Sequence, residues 1–226
     1  MNIEFSPSMM CADFSNIEEE VKKLDKCNID SYHIDIMDGY FVDSIAMGLQ
    51  DLNVLRKLTN KKIEVHLMAK YPDKLLHLFD KDLVDTLYIH CESDGDTGIL
   101  LSKIKKNGII PGLAINPGTS IEYAKELFNF TDKVLVMCAN PGYAGQSFLP
   151  FVDSKIQKLL KFKEREKFKI VLDGSCSPSR IEKYAGIGVD GFVLGTSAIF
   201  GKNLSYCEII NDLRNKLSNR KVLAQE

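Results

Sequence analysis

Eight short apolar runs, rich in β-branched and aromatic residues, punctuate the 226-residue chain. They are FSPSM at 5–9, YHIDIM at 32–37, KIEVHLM at 62–68, TLYIH at 86–90, IIPGLAIN at 109–116, KVLVMC at 133–138, KIVLDG at 169–174 and GFVLG at 191–195. Between them the apolar spacing becomes helical, as at Ile17, Val21 and Leu24, or at Val152, Ile156, Leu159 and Leu160. Several strand runs are continuous rather than alternating, the pattern of parallel strands covered on both faces. Eight strand–helix units in this length predict one α/β domain over residues 1–226, a (β/α)8 TIM barrel. An open doubly wound sheet is the alternative, but no G-x-G-x-x-G fingerprint follows the first strand.

In a barrel the chemistry sits at the C-terminal ends of the strands, so the polar residue closing each run carries information. Ser8 closes the first run, His33 and Asp35 alternate in the second with Asp38 beyond, and His66 lies near the end of the third. His90 with Glu92, then Asn116, Asn140 and Asp173 complete the series. Spacing of two puts His33 and Asp35 on one face of their strand, opposite Ile34 and Ile36. If that face is the barrel interior, His66 and Asp173 can join them in a set of two imidazoles and two carboxylates. Such a set suits one divalent ion, Zn, Fe, Mn or Co, and the ligand list alone does not choose among them. Four hydrated groups in apolar strands each need a partner when buried, and a shared ion serves all four.

A single His near a strand end is more often a hydrogen-bonded structural group, which is the reading for His77; Asp85 and Asp190, at strand starts, read as caps or ion-pair partners. Met37, Met68 and Met137 stand beside the candidate ligands, either as adaptable core or as a water-poor lining over a reacting carbon. Three Gly-containing turns, NPGYAGQ at 140–146, DGS at 173–175 and GTS at 195–197, follow the last three strands. Glycine lets backbone N–H groups approach an anion, and a helix starting just after adds its positive end.

Charge narrows the partners. Lys and Arg total 29 against 31 Asp and Glu, a net charge of −2 without a basic stripe, which excludes a phosphate-backbone binder. Hydrophobic residues at 45% and charged residues at 27% are globular proportions. No run approaches the roughly 18 apolar residues of a membrane span. The start, MNIEFSPSMM, lacks a secretory pattern, so the expectation is a cytoplasmic protein. The scattered cysteines, Cys11, Cys27, Cys91, Cys138, Cys176 and Cys207, are expected to be reduced thiols in or near the core.

The motifs SPSMMCADF at 6–14, HIDIMDG at 33–39, VHLM at 65–68, HCE at 90–92, NPGT at 116–119, NPGYAGQSF at 140–148 and LDG at 172–174 occur in one order. By that series the chain resembles the ribulose-phosphate 3-epimerase family over nearly its whole length. The resemblance implies a metal-dependent, homo-oligomeric (β/α)8 barrel that inverts the carbon beside the carbonyl of a small-molecule ketose phosphate. It implies His33, Asp35, His66 and Asp173 as ligands of one divalent metal, with Asp35 and Asp173 also the acid–base pair. Ser8, Met37, His66, Met68 and Met137 would meet the substrate. Gly142, Ala144, Gly145, Gly174, Ser175, Gly195 and Thr196 would hold its phosphate.

The chemistry agrees. Removing the C3 proton of a 2-ketose gives a cis-enediolate, whose charge a Lewis acid at O2 and O3 stabilises. Inversion returns a proton on the opposite face, which two carboxylates can arrange.

Departures from the commonest family pattern bear on the substrate. Tyr40-Phe41-Val42-Asp43-Ser44 replaces His-Phe-Val-Pro-Asn, Ala144 and Ser175-Cys176 stand where Gly is common, and Thr196-Ser197 replaces a Gly-Ser turn. SPSMMC, GYAGQ, DGSC and GTSAIF look more like the D-allulose-6-phosphate 3-epimerase branch, so conversion of D-allulose 6-phosphate to D-fructose 6-phosphate is the first expectation. D-Ribulose 5-phosphate to D-xylulose 5-phosphate is the second. A sugar-phosphate aldolase or decarboxylase barrel would recruit a Lys near a strand end, whereas Lys62 and Lys169 begin strands and Lys70 lies beyond one. A silent phosphate-binding scaffold would not need both Asp35 and Asp173.

Overall fold

The computed structural model describes residues 3–223, so the expected domain limits, 1 and 226, lie outside the described residues. Among the described residues nine strands form: β1 (Glu4–Pro7), β2 (Ser31–Asp38), β3 (Ile45–Ala46), β4 (Lys62–Met68), β5 (Thr86–His90), β6 (Ile110–Ile115), β7 (Lys133–Met137), β8 (Lys169–Asp173) and β9 (Gly191–Leu194). The helices are α1 (Ile17–Asp25), α2 (Leu49–Leu58), α3 (Thr97–Lys106), α4 (Ile121–Ala124), α5 (Val152–Glu166), α6 (Pro178–Ala185) and α7 (Tyr206–Leu223). Hydrogen bonding runs β1-β9-β8-β7-β6-β5-β4-β2-β3, parallel throughout except for the two-residue β3. A parallel bridge between Ser8 and His33 brings β1 back to β2 and closes the ring. The protein is a (β/α)8 barrel, with the eight strands where the apolar runs predict them.

One unit departs from the alternation. After β4 the chain makes only two 3-10 turns, Pro72–Lys74 and Leu76–Leu78, with the exposed His77 on the second. Pro72 lacks an N–H, and the Asp80 carboxylate takes the N–H groups of Asp82 and Leu83, both at 3.0 Å. Elsewhere the local signals agree with the helices: α1 carries Glu18, Glu19 and Glu20 in its first turn and Lys22 and Lys23 in its last, complementing the helix dipole, and buries Val21 and Leu24. Asp85 and Asp190 serve the strand starts, accepting the N–H groups of Ile63 at 2.9 Å and Ile170 at 2.7 Å.

Period-2 alternation splits the apolar residues into two cores. Ile34, Val65, Leu113 and Val134 pack outward with the helices, while Tyr88, Ala114, Leu135, Met137, Val171 and Val193 fill the barrel. Gly112 makes room for the Tyr88 ring, since a Cβ there would lie 2.2 Å from it. Below Tyr88, at the N-terminal end, Lys133 is buried between Glu4, at 2.8 Å, and Glu64. Ser6 donates to Glu64 at 3.2 Å and lies 2.6 Å from the Ser31 hydroxyl.

The cysteine expectation needs correcting at two positions. Cys27 and Cys207 form a disulfide, with Cα atoms 4.8 Å apart across a sequence separation of 180. Closure of the barrel sets α1 beside α7, a neighbourhood that spacing along the chain does not reveal. Cys91, Cys138 and Cys176 are free and buried, and Cys11 is free and partly buried. Among the described residues no helix is long and apolar enough to cross a membrane.

Replacing Gly112 with Ala should destabilise the protein by about 1–3 kcal/mol, because the new methyl group overpacks the barrel against the root of the Tyr88 ring. Urea unfolding checks this, and an unchanged midpoint would show that the interior can yield there.

Candidate active site

Strand register builds the site. Pairing sets Ser8 beside His33, Asp35 beside His66, Met37 beside Met68, and Met137 beside Asp173. The inward face of β2 therefore meets that of β4, and Asp173 reaches the same point from β8. His66 Nδ1 lies 3.2 Å from Asp35 Oδ1 and 3.4 Å from Asp173 Oδ2. His33 Nε2 lies 3.4 Å from Asp35 Oδ1 and 3.8 Å from Asp173 Oδ2. One donor atom from each of these four residues falls within 4.8 Å of the others, so the cluster can hold a metal ion. Ser8 donates to the other Asp35 oxygen at 2.6 Å. Behind the cluster, His66 Nε2 is 2.8 Å from His90 Nε2, and His90 Nδ1 is 3.1 Å from Glu92 Oε2.

Burial works against every charge here, and the neighbours decide the outcome. Desolvation opposes protonation of His33, but Asp35, Glu64 and Asp173 outweigh it and push the imidazole up to about 10. His66 is likewise raised, by Asp173 and Asp35 against its burial. Desolvation would raise Asp35, yet His33 and His66 hold it far below the usual carboxylate range. His90 goes the other way: burial, with the charge of His66 added, lowers it to about 4 despite Glu92. Glu92 resists its own desolvation through His90, Thr119 and the Asn116 N–H, and falls to about 2.

Above the cluster, a cavity opens at the C-terminal mouth. Ser8, Asp35, Met37, Met68, Met137 and Asp173 line its floor and walls, and the turns carrying Gly142, Ala144, Gly145, Gly174, Ser175, Gly195 and Thr196 line the far side. His33 and His66 are fully buried beneath it. Met37, Met68 and Val42 make an apolar patch at the mouth with Met10, Phe41 and Ala46. Gly174 has φ +92, and a Cβ there would press to 2.9 Å from the Ala139 nitrogen. Ser175 follows at φ +53, where Arg180 donates to its carbonyl at 2.9 Å and its hydroxyl at 3.1 Å. The GTS turn is not followed at once by a helix: the Gly195 carbonyl accepts from Ala198 and Ile199, and α7 starts only at Tyr206.

Residues 4–200 match the ribulose-phosphate 3 epimerase family. The chain belongs to this family. It is 33% identical over 218 residues to the ribulose-phosphate 3-epimerase of Synechocystis sp., covering 95% of this chain and 94% of that one. It is 36% identical over 215 residues to the ribulose-phosphate 3-epimerase of Buchnera aphidicola subsp. Schizaphis graminum, covering 94% and 93%. Among solved structures it is similar in fold to KGPDC from Streptococcus mutans, with TM-score 0.67 and 12% identity over 97% of this chain and 99% of that one. Members of the ribulose-phosphate 3-epimerase family are isomerases acting on carbohydrate phosphates, and this protein is one of them.

In this epimerase-family barrel some participants escape sequence reasoning. Glu64 shares the inward face of β4 with His66, so its spacing of two was the available signal, and it falls to about 2 because Lys133 and His33 outweigh its desolvation. Met10 and Cys11, in the SPSMMC motif, also line the cavity. Phe41 covers His90, with ring centroids 4.6 Å apart, which no local pattern announces.

The low His90 value sets an acid limit. The unfolded chain protonates this imidazole near pH 6.5 and the folded one near 4, so stability falls with pH across that window by roughly 3 kcal/mol in chelator-treated protein. Urea unfolding of wild type and His90→Gln between pH 7 and 4 tests this: the variant should lose that part of the slope, and equal slopes would assign it to other groups.

Proposed function

We propose that Asp35 and Asp173 are the proton-transfer pair of a ketose-phosphate 3-epimerase. The observation that carries this reading is the approach of both carboxylates, from β2 and β8, to the same His66 Nδ1 at 3.2 and 3.4 Å on the floor of one cavity. One carboxylate takes the C3 proton of the bound sugar. The C–H electron pair becomes the C2–C3 double bond and the carbonyl oxygen takes the charge. The other, protonated, Asp then gives a proton to C3 from the opposite face. The Ser8 hydroxyl fixes the Asp35 carboxylate in orientation. The three methionines exclude water from the reacting carbon, and the glycine-containing turns hold the phosphate through backbone N–H groups.

The donor set fits a divalent metal. Both ring nitrogens of His33 are buried and make no hydrogen bond, and a cation held by His33, Asp35, His66 and Asp173 would remove that cost at Nε2, the nitrogen that faces both aspartates. Bound there, Zn, Fe, Mn or Co supplies positive charge against the oxyanion of the intermediate. Among the described residues the two buried lysines do not favour the aldolase alternative: Lys133 lies at the opposite end of the barrel between Glu4 and Glu64, and Lys155, on α5, donates to the Asn116 and Pro117 carbonyls and is not among the residues lining the cavity.

For the substrate, D-ribulose 5-phosphate comes first, because relatives covering nearly the whole chain are named ribulose-phosphate 3-epimerases. D-Allulose 6-phosphate is the second reading, supported by the resemblance of SPSMMC, GYAGQ, DGSC and GTSAIF to that branch, segments that contribute residues to the cavity lining.

Asp173→Asn should reduce epimerisation by at least 10²-fold, on the order of a lost acid–base group; near wild-type turnover would rule out the pair. Chelation should likewise remove activity, and added divalent ion should restore it, whereas full activity in verified metal-free protein would reject the metal. Proton NMR in D2O with both sugar phosphates separates the substrates by which one gains C3 deuterium together with inversion.

A further inference from the structure

We infer that His90 and Glu92 form a positioning relay that fixes His66 in the one tautomer able to offer Nδ1 to a metal; this rests on the metal-site reading above. His66 has its Nδ1 turned to Asp35 and Asp173 and its Nε2 turned away to His90, 2.8 Å distant. Two imidazole nitrogens at that separation need one donor and one acceptor. If Nδ1 gives its lone pair to a cation, Nε2 must carry the hydrogen, so His90 Nε2 must accept. A neutral His90 that accepts at Nε2 carries its hydrogen on Nδ1, which faces Glu92 Oε2 at 3.1 Å.

Glu92 ends the chain of constraints. Its other oxygen accepts the Asn116 backbone N–H at 2.9 Å, so both oxygens are committed as acceptors. The direction of every hydrogen is then set from a fixed backbone donor inward to the cavity. Phe41 and the full burial of His66 and His90 keep water from replacing the contact between the two imidazoles. His90 and Glu92 touch neither the cavity nor the four-residue cluster's carboxylates in this arrangement, so they act through His66. Outer partners of this kind typically shift metal affinity by about 10–100-fold when removed.

Glu92→Gln is the informative change. The Asn116 N–H demands an oxygen, which leaves the new amide NH2 facing His90 Nδ1. That would drive the hydrogen of His90 to Nε2, against the Nε2–H of His66. The test combines long-range ¹H–¹⁵N spectra of the imidazoles in zinc-loaded protein with zinc calorimetry of wild type and variant, the exposed His77 serving as reference. Expected are Nε2–H on His66, Nδ1–H on His90, and zinc Kd weakened about 10–100-fold in Glu92→Gln. Zinc binding by wild type with Nε2–H on His90, or an unchanged Kd in the variant, overturns the relay and leaves the metal site standing. Failure of wild type to bind zinc overturns both. Should the variant not fold, the wild-type tautomers decide alone.

Discussion

The barrel depends on the mutual neutralisation of charges that its strands carry into the interior. Two imidazoles and two carboxylates buried between apolar strands are unfavourable unless each finds a partner of opposite sign or a shared cation. Here the register supplies those partners: Asp35 sits beside His66, and His33 lies within reach of Asp35, Glu64 and Asp173. The same proximity that makes the cluster tolerable also brings one donor atom from each of the four residues within 4.8 Å of the others, at the floor of the cavity.

Charge inside the barrel is layered. At the N-terminal end Lys133, Glu4 and Glu64 satisfy one another, next to the Ser6–Ser31 pair, and have no opening to the cavity. The middle is closed by Tyr88, Leu135 and Val171. Beneath the cavity both nitrogens of His33 are buried without a hydrogen bond, and in the middle layer so is the Tyr88 hydroxyl. Unsatisfied polar atoms are rare in native interiors, and those of His33 lie among the four residues whose donor atoms could hold a metal ion.

The fold on its own would not have distinguished this protein from other (β/α)8 barrels. The KGPDC structure superposes over 97% of the chain at 12% identity, which speaks for architecture alone. Chemistry resides in which side chains the strand ends present, and there the family match over residues 4–200 and the paired aspartates point the same way.

Much of this was legible in the chain. Continuous apolar runs located all eight barrel strands, because burial on both faces leaves few polar positions, and the spacing of two in His33 and Asp35 announced a shared inward face. The candidate ligands were conspicuous as charged groups in apolar strands. What spacing could not supply was contact between residues far apart in sequence: the Cys27–Cys207 disulfide, the buried Lys133–Glu4–Glu64 network, the cover of Phe41 on His90, and the line from His66 through His90 to Glu92. The two 3-10 turns after β4 likewise reflect a local competition for backbone N–H groups that apolar periodicity does not register. Local pattern decides which face a residue turns inward; only closure and register of the barrel decide what it meets there.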